Sequence, residues 1–282
     1  MRIKTYVINL KNASDRLNTV LAELSEYPFM DLEVIEAVDG RKMSSEEKDE
    51  QFDARKFLKN HGGEVTPGEI GCTLSHRECY RRLLDSQEEF VLICEDDVRF
   101  FAGKEFMENF LMGIVGKMPT SPYVMTLSKH MIYYPKSEYQ IGQYSFCRLY
   151  HAWGTCAYLI NRKAAEVMLK IHKPYYPADD YREMDRLGIW VEGVYPMLAV
   201  GKSEIGEIPS TIVDRSDGIS VVKSWSYYRK RIYSYCSKKK VCLFFYRKRA
   251  RLFRKKIPEF FIYINFLKRR EDYLKIVDTR NS

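Results

Sequence analysis

Short unbroken apolar runs alternate with segments that read as capped helices along the first two-thirds of the chain. Residues 3–10, 32–37, 91–98 and 155–160 are rich in Val, Ile, Leu and Tyr without strict polar alternation, the pattern of strands covered on both faces in a parallel or mixed sheet. After the first run, Asn12 or Ser14 can cap a helix reaching about Glu26. The second run ends in the turn signal Val38, Asp39, Gly40. Thr66, Pro67, Gly68 and Glu69 spell a capping box with Pro at the first helical position, which predicts a helix to about Ser86. Asn161 can cap another helix through Ile171. Strand, helix, strand, helix, strand predicts an α/β sandwich, and no internal repeat interrupts it.

The third run, VLICEDDV, breaks into three consecutive carboxylates, Glu95, Asp96 and Asp97. Adjacent like charges repel, so three acids at the mouth of a buried strand call for a cation. In open α/β sheets ligands bind at the carboxyl ends of the strands. Carboxylates there suit Mg²⁺ or Mn²⁺, hard ions that complete their shells with phosphate oxygens and water, and the implied ligand is a nucleotide diphosphate. A solvated acidic loop with Asp97 capping a turn is the plainer alternative. The glycines form neither a GxGxxG loop nor a Walker sequence, which argues against a dinucleotide oxidoreductase or a P-loop NTPase.

Composition adds a boundary. The chain has 282 residues, 45% hydrophobic and 30% charged, enough for one medium-sized core. No stretch is apolar and long enough to span a bilayer, and MRIKTYVINLKN lacks the features of a signal peptide. The seven cysteines, at 72, 79, 94, 147, 156, 236 and 242, form no CxxC pair, so small buried thiols in a reducing cytoplasm are expected. The net charge of +8 averages two unlike parts: residues 223–270 hold 17 Lys and Arg against the single acid Glu259, and the remainder stands at −8. We therefore divide the chain into an acidic body, 1–222, and a basic, aromatic-rich C-terminal extension, 223–282, expected to be helical. Interleaved aromatic and basic residues, such as Trp225, Tyr227, Tyr228, Phe244, Phe245 and Tyr246 among Lys and Arg, suit an anionic membrane surface. Single-stranded nucleic acid and a plain solvated helical extension are the alternatives.

YVINLKNASDRL, GEIGCTLSHRECYRRLL, VLICEDDV, WGTCAYLINRKAAEVM and YPADD resemble, in order and spacing, the successive blocks of glycosyltransferase family 25. That family comprises bacterial lipooligosaccharide galactosyltransferases and the collagen galactosyltransferases. The resemblance runs from residue 3 to about 220. It implies a GT-A-like nucleotide-diphospho-sugar transferase fold, a UDP-sugar donor, usually UDP-galactose, and transfer with inversion at the anomeric carbon. It also implies a saccharide acceptor of lipooligosaccharide or lipopolysaccharide type. A basic tail then fits a cytoplasmic enzyme held peripherally at the inner face of the membrane. UDP-glucose or UDP-N-acetylglucosamine transfer to another surface glycan, a metal-dependent nucleotide-sugar hydrolase, and a nucleic-acid binder are the competing readings.

Carried over residue by residue, Glu95, Asp96 and Asp97 take the place of the family's DxD-like motif. Asp97 is then the first metal ligand, with Glu95 and Asp96 acting on ribose or through water and Glu95 a further ligand candidate. Ile8, Asn9 and Leu10, with Arg16, fall where the nucleotide is expected, although a buried strand end and a surface arginine would look the same. Asp39 and Gly40 resemble the second-strand turn, and Ser75 and His76 the family's SH pair on the nucleotide side. Gly154 and Thr155 would let backbone approach a sugar, or mark a strand-start bend. Asp214 is a weak ligand candidate in a late polar loop. An inverting transfer needs a general base. Asp179 and Asp180 are the candidates, with helix capping as the other use of an Asp there; one division has Asp180 capping and Asp179 doing the chemistry.

Overall fold

The computed structural model describes residues 2–210, apart from 117–118, 129–130, 135–136 and 142, together with the short strand Lys275–Val277. The expected α/β sandwich is present. Strands β1 (Ile3–Asn9), β2 (Met30–Glu36) and β3 (Phe90–Glu95) form a parallel trio with β1 in the middle, pairing Ile8 with Ile35 on one side and with Glu95 on the other. Beyond β4 (Val98–Phe100), strands β5 (Tyr123–Thr126), β6 (Met131–Tyr133), β7 (Tyr139–Ile141), β8 (Tyr144–Ala152), β9 (Ala157–Asn161) and β10 (Trp190–Tyr195) extend the sheet. Its order is β6-β8-β10-β5-β9-β3-β1-β2, with β7 on β8, and the sheet is mixed because β9 runs antiparallel to both β3 and β5. A separate antiparallel pair joins β4 to β11 (Ala199–Gly201). β12 (Lys275–Val277) pairs with β6; the remaining expectations for 223–282, helical character included, lie outside the described residues.

Helices cover both faces, which is why the strands read as continuous apolar runs. On one face Tyr6, Ile8, Val91, Ile93, Tyr158 and Ile160 pack against α4 (Pro67–Asp85), α6 (Arg162–Leu169) and α7 (Tyr181–Arg186). On the other, Val7, Leu92, Cys94 and Leu159 pack against α1 (Ser14–Leu24) and α5 (Lys104–Val115). Successive residues of β3 thus enter opposite cores, each buried side chain contributing about 1.5–3 kcal/mol. The short helices α2 (Ser45–Gln51) and α3 (Ala54–His61), which the apolar pattern does not announce, carry a small third cluster around Phe52 and Phe57.

The local chemistry at helix starts is largely as expected. Thr66 accepts from the Glu69 amide while the Glu69 side chain accepts from the Thr66 amide, a complete capping box with Pro67 following. Asn161 caps α6. The start of α1 differs: its N-cap is Ala13, with no side-chain cap; Asn9 Nδ2 donates to the Ala13 carbonyl at 3.2 Å and ties the end of β1 to the helix start. The 91–98 run is also not one strand. It stops at Glu95, turns through Asp96 and Asp97, and resumes as β4. Cys79, Cys94, Cys147 and Cys156 are buried and Cys72 half-buried, all as free thiols. Among the described residues no helix is long and apolar enough to cross a membrane.

Candidate active site

The carboxyl ends of β1, β2 and β3, the first turns of α4 and the β4–β11 pair surround a cleft with two lobes. One lobe is lined by Ile8, Leu10, Arg16, Asp39, Gly40, Ser75, His76 and Asp96, the other by Glu69, Gly154, Thr155, Asp179 and Glu204; Cys72, Glu95, Asp97, Ser203 and Ser210 line both. The acidic turn is therefore the wall the two lobes share.

Each acid of that turn has a different environment. Asp96 accepts from Asn9 Nδ2 at 2.7 Å and from the Arg16 guanidinium, so Asn9 and Arg16 hold one carboxylate between them. Asp97 is buried; its Oδ2 accepts from the amide and the hydroxyl of Ser203 and lies 3.8 Å from Arg16, while its Oδ1 has no hydrogen-bond partner among the described residues. Glu95 Oε1 accepts from Thr155 Oγ1 at 2.5 Å and faces His76 Nε2 at 3.3 Å. Burial pushes the carboxyls of Asp96 and Asp97 above the ordinary aspartate value, and the Glu95 charge pushes Asp97 further. Burial acts the same way on Glu95, but the His76 ring, Thr155 and Arg16 together outweigh it and hold Glu95 below the usual glutamate value.

A buried carboxylate oxygen with no donor is expensive to leave unmatched. The Asp97 Oδ1 therefore fits a hard cation such as Mg²⁺ or Mn²⁺, which takes one or two carboxylates and leaves the rest of its shell to other oxygens. Gly201 leaves that oxygen uncrowded: an added Cβ would sit 3.4 Å from Asp97 Oδ1.

In the first lobe the loop after β2 lies directly on α4. A Cβ at Gly40 would meet the Pro67 carbonyl oxygen at 1.9 Å, and one at Gly71 would meet the Val38 carbonyl oxygen at 2.4 Å. Ser75 donates to the Gly71 carbonyl at 2.7 Å and accepts from the Val38 amide at 2.9 Å, so its hydroxyl fixes the loop. Asp39 is paired with Arg41 at 2.8 Å, and that hydrogen bond holds its carboxyl below the ordinary value. His76 Nδ1 is 2.8 Å from Tyr158 Oη, which is in turn 3.0 Å from Tyr80 Oη, a buried chain that fixes the ring.

In the second lobe, the Gly154 amide donates to Asp179 Oδ2 at 3.1 Å. Burial, against the opposing pull of that hydrogen bond and with help from the charges of Asp180 and Glu95, raises the Asp179 carboxyl to about 6. Asp180 is turned away: it is the N-cap of α7, accepting from the Glu183 amide, and its other oxygen lies 3.6 Å from the buried His61. Asp179 and Asp180 thus part ways, one in the cleft and one in a helix cap. Asp214 lies outside the described residues.

Cys72, Glu69, Ser203, Glu204 and Ser210 line the cleft without having been singled out from sequence. Cys72 and Glu69 could have been found by helical spacing, since they precede His76 on the capped helix by four and seven residues. Ser203 carries no local signal, because only the β4–β11 pairing brings it to Asp97.

The glycosyltransferase family 25 (LPS biosynthesis protein) profile matches residues 2–182. Procollagen galactosyltransferase 1 of Danio rerio is 26% identical over 195 residues, 63% of this chain and 30% of its own. A glycosyltransferase 25 family member of Aedes aegypti is 36% identical over 100 residues, 34% of this chain and 16% of its own. The chain spans less than a third of the length of these curated relatives. Among solved structures, the apo-form glycosyltransferase GlyE of Streptococcus pneumoniae TIGR4 covers 60% of this chain and 37% of its own at 12% identity, with a TM-score of 0.28, too slight a likeness to carry an argument. The matched span contains all the clustered residues from Ile8 to Asp180, and on that ground the chain belongs to glycosyltransferase family 25.

Proposed function

We propose that the protein is an inverting glycosyltransferase that moves a hexose, galactose first, from a UDP-sugar to a hydroxyl of a saccharide acceptor of lipooligosaccharide type. The observation that carries this reading is the shared wall: Glu95 and Asp97 border both lobes, with strand ends on one side and the half-buried Asp179 on the other. The lobe at the ends of β1 and β2 takes the nucleotide, as strand ends of such sheets do. Arg16, Asp39 and Gly40 line it, and Asn9 holds the acidic turn in place.

Asp97 would hold Mg²⁺ or Mn²⁺, which when bound would supply neutralisation of charge on a departing diphosphate. Asp179 accepts the proton of the acceptor hydroxyl as that oxygen bonds to the anomeric carbon and the bond from that carbon to the UDP oxygen breaks. Attack from the Asp179 side, opposite the nucleotide lobe, inverts the configuration. Glu95, tied to His76 and Thr155, keeps the wall between the lobes rigid.

UDP should raise the melting temperature in the presence of Mn²⁺, and labelled galactose should pass from UDP-galactose to a lipooligosaccharide acceptor. Absence of UDP stabilisation would overturn the donor reading. Hydrolysis of UDP-galactose at a rate that acceptor does not increase would identify a hydrolase instead. Tight RNA or DNA binding that falls steeply with salt, with no response to UDP, would identify a nucleic-acid binder.

The basic segment 223–270 supports peripheral attachment to an anionic membrane, at about 1 kcal/mol per basic residue near the surface. Deleting residues from 223 onward also removes β12, so replacing Lys238, Lys239 and Lys240 by Gln is the cleaner test. Those changes should weaken binding to phosphatidylserine vesicles, and unchanged binding would refute the attachment.

A further inference from the structure

Cys72 and His76 stand one turn apart on α4, so their side chains leave the same face of the helix. That face looks onto the end of β3, where one ligand atom each from Cys72, His76 and Glu95 lie within 4.8 Å of one another. The geometry points to a second cation site, apart from the Asp97 carboxylate: a thiophilic divalent ion, zinc by the chemistry of its donors, held by Cys72 Sγ, His76 Nε2 and a Glu95 oxygen.

Three features support this site. The donor set of one sulfur, one imidazole nitrogen and one carboxylate suits Zn²⁺, whereas Mg²⁺ and Mn²⁺ favour oxygen alone. The His76 ring is already oriented: its Nδ1 is 2.8 Å from Tyr158 Oη, which is itself 3.0 Å from Tyr80 Oη, and such an outer bond is what presents the opposite ring nitrogen to a metal. Finally, Nε2 and Glu95 Oε1 are 3.3 Å apart, longer than the roughly 2.7–2.9 Å of a charge-assisted hydrogen bond. It equals the ligand-to-ligand edge of about 3.3 Å in a tetrahedral shell with bonds of about 2.0–2.1 Å.

Asp97, Glu69 and Asp179 line the same cleft, and their carboxylates favour any cation that enters it. Three protein ligands leave a fourth position open toward the cleft that Cys72, His76 and Glu95 all border. Binding replaces the Cys72 thiol proton, which passes to solvent. Because Cys72 and His76 line the lobe assigned to the nucleotide, zinc at this site shuts out UDP; this consequence alone rests on the donor reading above.

The test is a cobalt(II) titration of the full chain, reduced and without nucleotide. A thiolate-to-cobalt charge-transfer band, with visible bands of four-coordinate intensity, should saturate near one ion per chain and be displaced by zinc. Cys72→Ala should abolish the band. Loss of an outer-sphere partner alone weakens metal sites about 10–100-fold, so His76→Gln should weaken binding about 100-fold or more. A chain with Cys236→Ser and Cys242→Ser should keep the band. Its loss there, its persistence in Cys72→Ala, or its absence from the unaltered protein would each overturn the site. Thermal shift separates the two readings: UDP stabilisation that zinc abolishes supports the blocking effect, and UDP stabilisation unaffected by zinc refutes it. Failure of UDP to act without zinc would strike the donor assignment and leave the cobalt result standing.

Discussion

The amide of Gly154 donates to the carboxylate of Asp179, so the turn leading into β9 grips the acid that faces the second lobe. Gly154 has φ +80°, and a Cβ there would lie 2.2 Å from Glu204 Oε1. Left-handed backbone costs a residue with a side chain about 1–2 kcal/mol. Gly154→Ala should lower stability by about that amount in a denaturant melt. It should lower turnover more than UDP affinity, because the displaced groups belong to the acceptor lobe.

Asp179→Asn should reduce turnover by about 10²–10⁴-fold, the range for loss of a positioned general base, while UDP still raises the melting temperature. Asp180→Asn is the matched control. Asn caps helices about as well as Asp, so turnover should stay within a few-fold of the unaltered protein, while loss of the carboxylate that faces buried His61 should lower stability. Equal losses in the two variants would remove the distinction between them.

The raised Asp179 carboxyl, at about 6, makes two pH predictions. As a base it must be ionised, so turnover should climb as pH rises through about 6. For stability, the folded state holds this proton more tightly than the unfolded state. That advantage is fully present below the unfolded value of 3.8 and is lost as pH rises through about 6. Asp179→Asn should therefore stabilise the protein at pH 7 by up to about 3 kcal/mol, at about 1.4 kcal/mol per pH unit of difference, and the gain should vanish near pH 4. Urea melts of both proteins at the two pH values would measure it.

Asp97→Asn should remove the effect of Mn²⁺ on UDP stabilisation. A ligand at about 100 times its dissociation constant stabilises by about 2.7 kcal/mol, and the metal-dependent part of that shift should fall to near zero. A shift that still depends on Mn²⁺ would move the ligand role to another residue.

Gly71→Ala places a methyl group 2.4 Å from the Val38 carbonyl oxygen and 2.7 Å from the Gly40 nitrogen. Backbone cannot yield as a side chain does, so a loss of about 2–4 kcal/mol is expected, with weaker UDP binding as the loop carrying Asp39 lifts off α4. Thermal melts with and without UDP would register both effects.

What the sequence discloses here depends on how local the chemistry is. The Thr66–Glu69 capping box and the Asn161 cap lie within four residues of their partners, and both are legible in one reading. Strand β3 is legible because both its faces are buried, leaving Val91–Cys94 apolar without a gap. The same reading merges β3 with β4, since nothing apolar marks the turn at Asp96 and Asp97. The division between Asp179 and Asp180 turns on which carboxylate meets the Glu183 amide, and adjacent acids look alike until the helix start is fixed. Helices α2 and α3 went unread because their apolar positions are few and pack in a small side cluster.

The pairing of β4 with β11 has a consequence for how the cleft is assembled during synthesis. Asp97 is made long before Ser203, and the family profile ends at residue 182, ahead of that serine. A contact spanning 106 residues should close late, because non-local contacts must first meet the entropy of closing a long loop. A nascent chain released up to residue 182 would hold both lobes' strand ends yet lack the segment that seats Asp97. Competence for nucleotide should therefore appear only when the stretch beyond β11 has emerged, since this long-range tie completes the wall between the two lobes.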